Sequence, residues 1–301
     1  MTPAATAPVL HGFSVDVEDW FHILEYAGAP DPSAWAAQEA RVAVGTDRLL
    51  ALLARHRIRA TFFVLGWIAE RHPEVVARIA AAGHELGSHG HLHRLVSHLD
   101  RDAFARDLDA SLEAIERAAG RKAVAFRAPG FSIGPNEMWA LAILVSRGIN
   151  LDASLFLANR AHGGFRLDRT RPFAIVLPDG RSLTEVPTVP RRLAGHELPF
   201  SGGGYLRLLP AWFLAQGFAS FEARGDPVVA YLHPREMDPD QPRMALPPLR
   251  KFKYYVGLNG VEAKLEALFT RFRFGCLGDV VAATRPDLPL HLDRRARVEA
   301  A

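Results

Sequence analysis

An α/β fold, with βα units arranged around a parallel sheet or barrel, is predicted by three observations. Apolar strand-like runs alternate with helix-period segments through most of the chain. Its 301 residues, 49% apolar and 23% charged, suit one large domain with a sizeable core, and an α/β barrel of that length would be ordinary. The residues able to do chemistry fall where the expected strands end, which in a βα barrel is the active-site edge.

The elements follow in order. His11 to Asp16 reads as the first strand. Thr46 to Arg57, with leucines at 49, 50, 52 and 53 beside Arg48 and Arg55, reads as an amphipathic helix, and Ala60 to Leu65 as the second strand. Pro73 opens the next helix and Gly83 stops it, proline inside the start and glycine past the end. Glu85 to Ser88 is a short third strand. Asp100 can cap a helix running to Ala119, with Gly120 as its stop, and Ala123 to Phe126 is the fourth strand. Asn136 can cap a helix from Glu137 to Arg147, ending at Gly148, and Ile149 to Asp152 is the fifth strand. Phe173 to Leu177 and Leu183 to Val189 flank Pro178-Asp-Gly180, a hairpin signal. Pro210 to Ala223 then reads as helix, Pro227 to Leu232 as strand and Gly260 to Arg273 as helix.

Four histidines fall within ten residues in Gly83-His-Glu-Leu-Gly-Ser-His-Gly-His-Leu-His93, and His89 and His93 are four apart. One helical turn would bring both imidazoles to a single ion. The acidic cluster at the end of the first strand, Asp16-Val-Glu18-Asp19, can furnish an oxygen ligand and a free carboxylate to act as base. Strand alternation points 16 and 18 to one side, favouring Glu18 as ligand; Asp19 is the alternative if the strand has already ended.

The formal net charge is only +3, and the basic clusters Arg250-Lys-Phe-Lys253 and Arg294-Arg-Ala-Arg297 are short. Without a reader motif they are solvated or rim positions, and no nucleic-acid partner is expected. Gly202-Gly-Gly204 lacks the Lys-Ser/Thr ending of a phosphate loop and reads as a loop near the substrate cleft. Cys276 is the single cysteine, so no intrachain disulfide forms and the thiol packs as a small apolar group. The first ten residues lack the basic start and apolar run of a secretory signal, and no segment approaches the ~20 apolar residues of a membrane span. A cytoplasmic protein is expected, with peripheral association with the inner membrane left open.

The ordered set Asp16-Val-Glu-Asp19, Ser88-His-Gly-His-Leu-His93, Arg127-Ala-Pro-Gly130, Asp152-Ala-Ser-Leu155 and Tyr231-Leu-His-Pro234 resembles the five motifs of the NodB-type polysaccharide deacetylases, carbohydrate esterase family four. The likeness covers residues 11–235. Ser201 to Pro210 and Tyr231 to Asp238 resemble the exosortase-associated branch linked to exopolysaccharide loci, with 236–301 as a family-specific extension of one domain, 1–301. The resemblance implies a distorted (β/α)7 TIM-like barrel and a divalent metal, commonly Zn2+, with Co2+, Mn2+ or Ni2+ as alternatives.

The roles it implies fall residue by residue. Asp16 matches the base that takes a proton from the attacking water, and Arg127 the arginine that pairs with it. His89 and His93 match the metal histidines, and the peptidoglycan-deacetylase-like spacing selects Glu18 over Asp19 as their companion. His233 matches the acid that protonates the departing amine, with Asp152 as the carboxylate that orients and charges it. A backbone amide near Pro129 or Gly130 would help hold the oxyanion. His91 would face away and His84 would be structural. Trp20, Phe21, His22, Phe131 and Trp139 could stack on sugar or simply pack. The implied function is removal of N-acetyl groups from an amino-sugar polysaccharide or its precursor, with an N-acetylated glycan as partner and peripheral contact with a membrane exopolysaccharide machinery left open. Hydrolysis of a small amide, as in allantoinase-like relatives, and carbohydrate binding without turnover are the alternatives.

Overall fold

Residues 11–17 are all buried, the pattern of a strand covered on both faces, and Leu10–Val17 forms β1 at the centre of a parallel sheet. The computed structural model describes residues 8–293 and 295, apart from 25, 27, 159–161 and 194. The first seven residues read for a leader, and Arg294, Ala296 and Arg297 of the second basic cluster, lie outside the described residues.

After β1 come α1 (Val42–His56), β2 (Thr61–Val64), α2 (Gly66–Arg71), α3 (Pro73–Ala81), β3 (Glu85–Ser88), α4 (Arg101–Ala119), β4 (Ala125–Phe126), α5 (Trp139–Ser146) and β5 (Leu151–Asp152). β6 (Phe173–Val176), β7 (Ser182–Glu185), β8 (Arg191–Leu193) and β9 (His196–Leu198) precede α6 (Gly203–Leu208), α7 (Ala211–Glu222) and β10 (Val229–Leu232). The last elements are α8 (Pro248–Tyr255), α9 (Val261–Arg271), β11 (Arg273–Gly275), α10 (Leu277–Ala283) and β12 (Asp287–His291).

Seven consecutive strands, β10-β1-β2-β3-β4-β5-β7, are parallel neighbours, as the barrel expectation requires. The ladder continues past β7 to β6, which is antiparallel to it, and to β12 beside β6, so its path among the described residues is open. The hairpin of β6 and β7 sits where Pro178-Asp-Gly180 predicted one. That β7 also joins β5 in parallel is a tertiary pairing no local pattern encodes.

Local signals account for several boundaries. Asp100 caps α4 by accepting from the Ala103 amide, and Gly120 ends the helix in the left-handed conformation. Asn136 is not a cap: α5 starts at Trp139 without a side-chain cap. Gly202-Gly-Gly204 is not a loop but the start of α6, and Gly202 lies flat on the Tyr231 ring, where a Cβ would meet ring carbon at 2.1 Å. The largest core cluster joins β1 and β2 to α1, α3, α7 and α9, and a second joins β4 and β6 to α4 and α5. Cys276 is buried at the start of α10, and burial pushes its thiol up to about 12.

Candidate active site

Each parallel strand ends at the same edge of the sheet, and the chemistry collects there. Asp16 and Glu18 lie at the end of β1, His89 follows β3, Arg127 follows β4, Asp152 ends β5, Glu185 ends β7 and His233 follows β10. A cavity of about 310 Å³ at this edge is lined by Asp16, Glu18, His89, His93, His233 and Arg235.

Glu18, His89 and His93 bring one ligand atom each within 4.8 Å of one another, all three buried. Glu18 Oε1 lies 3.3 Å from His89 Nε2 and 3.0 Å from His93 Nε2. The His93 nitrogen is buried yet not aligned for a hydrogen bond to that oxygen, as when two groups point at a shared third position. His89 is set by its other nitrogen, Nδ1, which lies 2.7 Å from the Arg127 carbonyl oxygen; a proton there leaves Nε2 as the donor atom. The donor set suits a divalent ion that accepts imidazole and carboxylate, zinc among them.

The four-residue spacing works differently from a helical turn. Residues 89–93 form no helix; Gly90 and His93 both adopt left-handed φ, 74° and 52°, which folds the loop back on itself. Asp107 of α4 holds that loop, accepting from the amides of His91 (2.7 Å) and Leu92 (3.2 Å). His91 turns from the cavity toward Gly66 and Glu70 of α2, and His84 accepts from the Ala60 amide against Phe62.

Asp19 does not join the histidines. Its Oδ2 accepts from the amides of Arg41 (2.8 Å) and Val42 (3.0 Å) at the start of α1, and its Oδ1 from Trp20 (2.8 Å). Both oxygens are thus occupied by backbone, and Glu18 is the carboxylate that faces the imidazoles. Against burial, which would raise it, the charges of His93 and His233 hold the Glu18 carboxyl well below the usual range.

Asp16 Oδ1 accepts from Arg127 Nη1 at 2.7 Å, and both side chains are buried. Arg127 is clamped: its Nε donates to the Ala153 carbonyl, and its guanidinium carbon lies 4.3 Å from the Phe63 ring centroid. His233 stands across the cavity, with Nε2 4.0 Å from Asp16 Oδ2 and 3.5 Å from Glu18 Oε1. Burial pulls the His233 pKa down, but the Glu18 charge, with the hydrogen bond and charge of Glu236, outweighs it and the net shift is upward.

The expected pairing of Asp152 with His233 is not formed. Asp152 accepts from Ser154 Oγ at 2.6 Å and shares a hydrogen bond with Glu185, two carboxyls buried together. Burial pushes Asp152 up to about 6 and Glu185 well above its ordinary value, which keeps a proton between them. Glu236 takes the place intended for Asp152: its Oε2 accepts from the His233 amide and faces its Nδ1, and its Oε1 accepts from Arg207 at 2.8 Å. The pattern His-Pro-x-Glu could have disclosed it, being a capping box with proline at the first helical position. Phe131 and His22 line the cavity, whereas Trp20 and Phe21 belong to the core and Trp139 packs on Phe104.

Residues 39–143 match the family described as polysaccharide deacetylase, and residues 153–282 match one described as a domain of unknown function. A chitooligosaccharide deacetylase of Rhizobium leguminosarum bv. trifolii is 40% identical over 79 residues, 26% of this chain and 37% of that one. A peptidoglycan-N-acetylglucosamine deacetylase of Bacillus cereus is 34% identical over 96 residues, 32% of this chain and 35% of that one. The chain therefore spans little more than a third of the length of these relatives. A crystal structure from Mycobacterium smegmatis, assigned to the polysaccharide deacetylases, superposes with a TM-score of 0.62 at 23% identity, covering 95% of each chain, and shows the shared α/β fold.

Proposed function

From a chain that carries a polysaccharide deacetylase domain, we propose a metal-dependent hydrolase that removes N-acetyl groups from an amino-sugar polysaccharide or its precursor. The observation that carries this reading is the meeting, in one cavity, of the Glu18–His89–His93 donor set with the Asp16–Arg127 pair on one side and His233 on the other. A place in exopolysaccharide synthesis, at or near the inner membrane, rests on the branch-like strings Ser201 to Pro210 and Tyr231 to Asp238. No helix among the described residues is long and apolar enough to cross a membrane.

A divalent ion held by Glu18, His89 and His93 would polarise the acetamide carbonyl and make water acidic at neutral pH. The chain's own groups do the rest. Asp16 accepts the proton of the attacking water, and Arg127 fixes the carboxylate through Oδ1 so that Oδ2 faces the cavity and His233. His233 presents Nε2 to the cavity and donates its proton to the departing amine, which leaves poorly without one. Glu236 steadies that imidazole from behind. Gly130 lines the cavity, and a backbone amide of its turn can meet the developing oxyanion.

The test is acetate release by metal-loaded protein across acetylated hexosamine oligomers and small amides, with Asp16→Asn as control. Release from the oligomers is expected, lowered ~10²- to 10⁴-fold in the variant. Hydrolysis by the variant at the parent rate would remove Asp16 from its role, and release from small amides alone would replace the glycan reading.

A further inference from the structure

Three carboxylates and four guanidiniums gather along and behind the cavity: Asp16, Glu18 and Glu236, with Arg127, Arg207, Arg235 and Arg250. Two pairs are matched, Asp16 with Arg127 at 2.7 Å and Glu236 with Arg207 at 2.8 Å. Arg207 is further satisfied by the carbonyls of Lys253, Tyr254 and Val256. Glu18 is directed at His89 and His93. Arg250 donates to the Leu24 carbonyl at 2.8 Å and lies over the Tyr26 ring. Arg235 is left over. Among the described residues no carboxylate lies within 4.0 Å of its guanidinium and no acceptor meets its N–H groups, and Nη1 is buried without a partner.

Its position is nonetheless fixed. The backbone belongs to the single helical turn Pro234–Met237, two residues after His233, and the guanidinium carbon lies 4.2 Å from the centroid of the Tyr254 ring, which also lines the cavity. Stacking on a ring face leaves the in-plane N–H fork free for a planar or tetrahedral anion. A shielded, unpaired cation is costly, and arginine does not escape the cost by losing its proton. The charges of Glu18 and Glu236 offset that cost only in part, and the net effect of burial still disfavours the cation; an anion entering the cavity and meeting the open N–H groups would offset more.

We propose that Arg235 recognises an anionic oxygen group, a carboxylate or a phosphate, on the amino sugar bound in the cavity or on the residue next to it. The substrate class is thereby an acidic or phosphorylated amino-sugar glycan. A uronic acid in the polymer and a phosphate at the reducing end of a carrier-linked precursor are the two sources of that chemistry. The inference rests on the deacetylase reading for the sugar that bears the acetamide, and on Arg235 for the charge.

Calorimetric titration separates the two without turnover. The full chain is titrated with N,N′-diacetylchitobiose, with a disaccharide of N-acetylglucosamine and glucuronic acid, and with N-acetylglucosamine 1-phosphate. At least one anionic probe is expected to bind about 10- to 100-fold more tightly than the neutral one, the range of a charge-assisted bidentate contact. Which probe it is identifies the source. Arg235→Met should reduce that preference to less than about threefold and Arg235→Lys to an intermediate value, with both variants checked for an unchanged far-UV circular dichroism spectrum. Equal or undetectable binding of all three probes by the parent overturns the inference, as does a preference that survives in Arg235→Met. Because no acetate is measured, a protein that binds the anion but releases no acetate contradicts the deacetylase reading alone.

Discussion

Glu236 Oε2 lies 3.0 Å from the backbone nitrogen of His233 and 3.4 Å from its Nδ1, so one carboxylate fixes both the main chain and the ring of the candidate acid. Burial alone would raise the Glu236 carboxyl; the hydrogen bond to His233 and the charge of Arg207 pull it down to about 2, so it is an anion throughout the working range.

Glu236→Gln should lower kcat at pH 8 about 10- to 100-fold, with KM changing less than about threefold. The sign follows from the charge removed. His233 must be protonated to donate, its pKa is raised with help from Glu236, and losing that carboxylate moves the alkaline limb of the kcat profile to lower pH. A profile that keeps its alkaline limb while kcat falls would limit Glu236 to holding the turn.

The two adjacent acids after β1 should separate in a metal-content measurement. Glu18→Gln is expected to lose bound divalent ion while keeping its thermal midpoint within a few degrees, because Gln can keep much of the packing. Asp19→Ala should retain the ion but lose about 0.5–2 kcal/mol, the cost of an N-terminal cap, because the amides of Arg41 and Val42 lose their acceptor. Retained ion in Glu18→Gln with loss in Asp19→Ala would reverse the assignment.

The legible part of this molecule is what local pattern encodes. Apolar runs and caps locate β1, β2, β3 and α4 to within a residue or two, and the end-of-strand positions of Asp16, His89, Arg127 and His233 follow. Alternation along β1 points 16 and 18 to one side, and both side chains line one cavity. What stays hidden depends on contacts distant in sequence. The pairing of Asp152 with His233 is what the family resemblance implies, but β7 inserts beside β5 and brings Glu185 to Asp152 instead. Arg207 and Glu236 are 29 residues apart and only the packing of α6 on the turn after β10 joins them.

The buried carboxyl pair gives a stability signature with an unusual sign. Asp152 has a folded pKa of about 6, raised by burial from its ordinary 3.8, so the folded state binds more protons than the unfolded state between those values. Stability therefore falls as pH rises from ~4 to ~6 and levels off above, by on the order of 1–3 kcal/mol for this group. Asp152→Asn, which cannot ionise, should gain on the parent over the same interval: the difference in thermal midpoint, variant minus parent, grows from pH ~4 to pH ~6.5. A difference independent of pH would mean that Asp152 is ionised in the fold at all these values.

Gly45 links the first helix to the turn after β10 that carries the candidate acid. An ideal Cβ there would lie 1.9 Å from the Pro234 carbonyl oxygen, so α1 packs its bare backbone on the turn that carries His233 and Glu236. Glycine inside a helix costs about 1 kcal/mol relative to alanine, which on propensity alone makes Gly45→Ala stabilising. The contact decides otherwise, because neither a helix backbone nor a proline carbonyl can yield by more than a few tenths of an ångström without moving the turn. We expect a net loss on the order of 1–3 kcal/mol, the usual cost of overpacking. The larger effect should be on rate, since displacing a proton donor by about 1 Å can cost ~10²-fold. Thermal melts and kcat measured on the same preparation check both. A raised midpoint with kcat intact would show that α1 and the turn are not in the tight register described, and that the position of His233 is set by Glu236 alone.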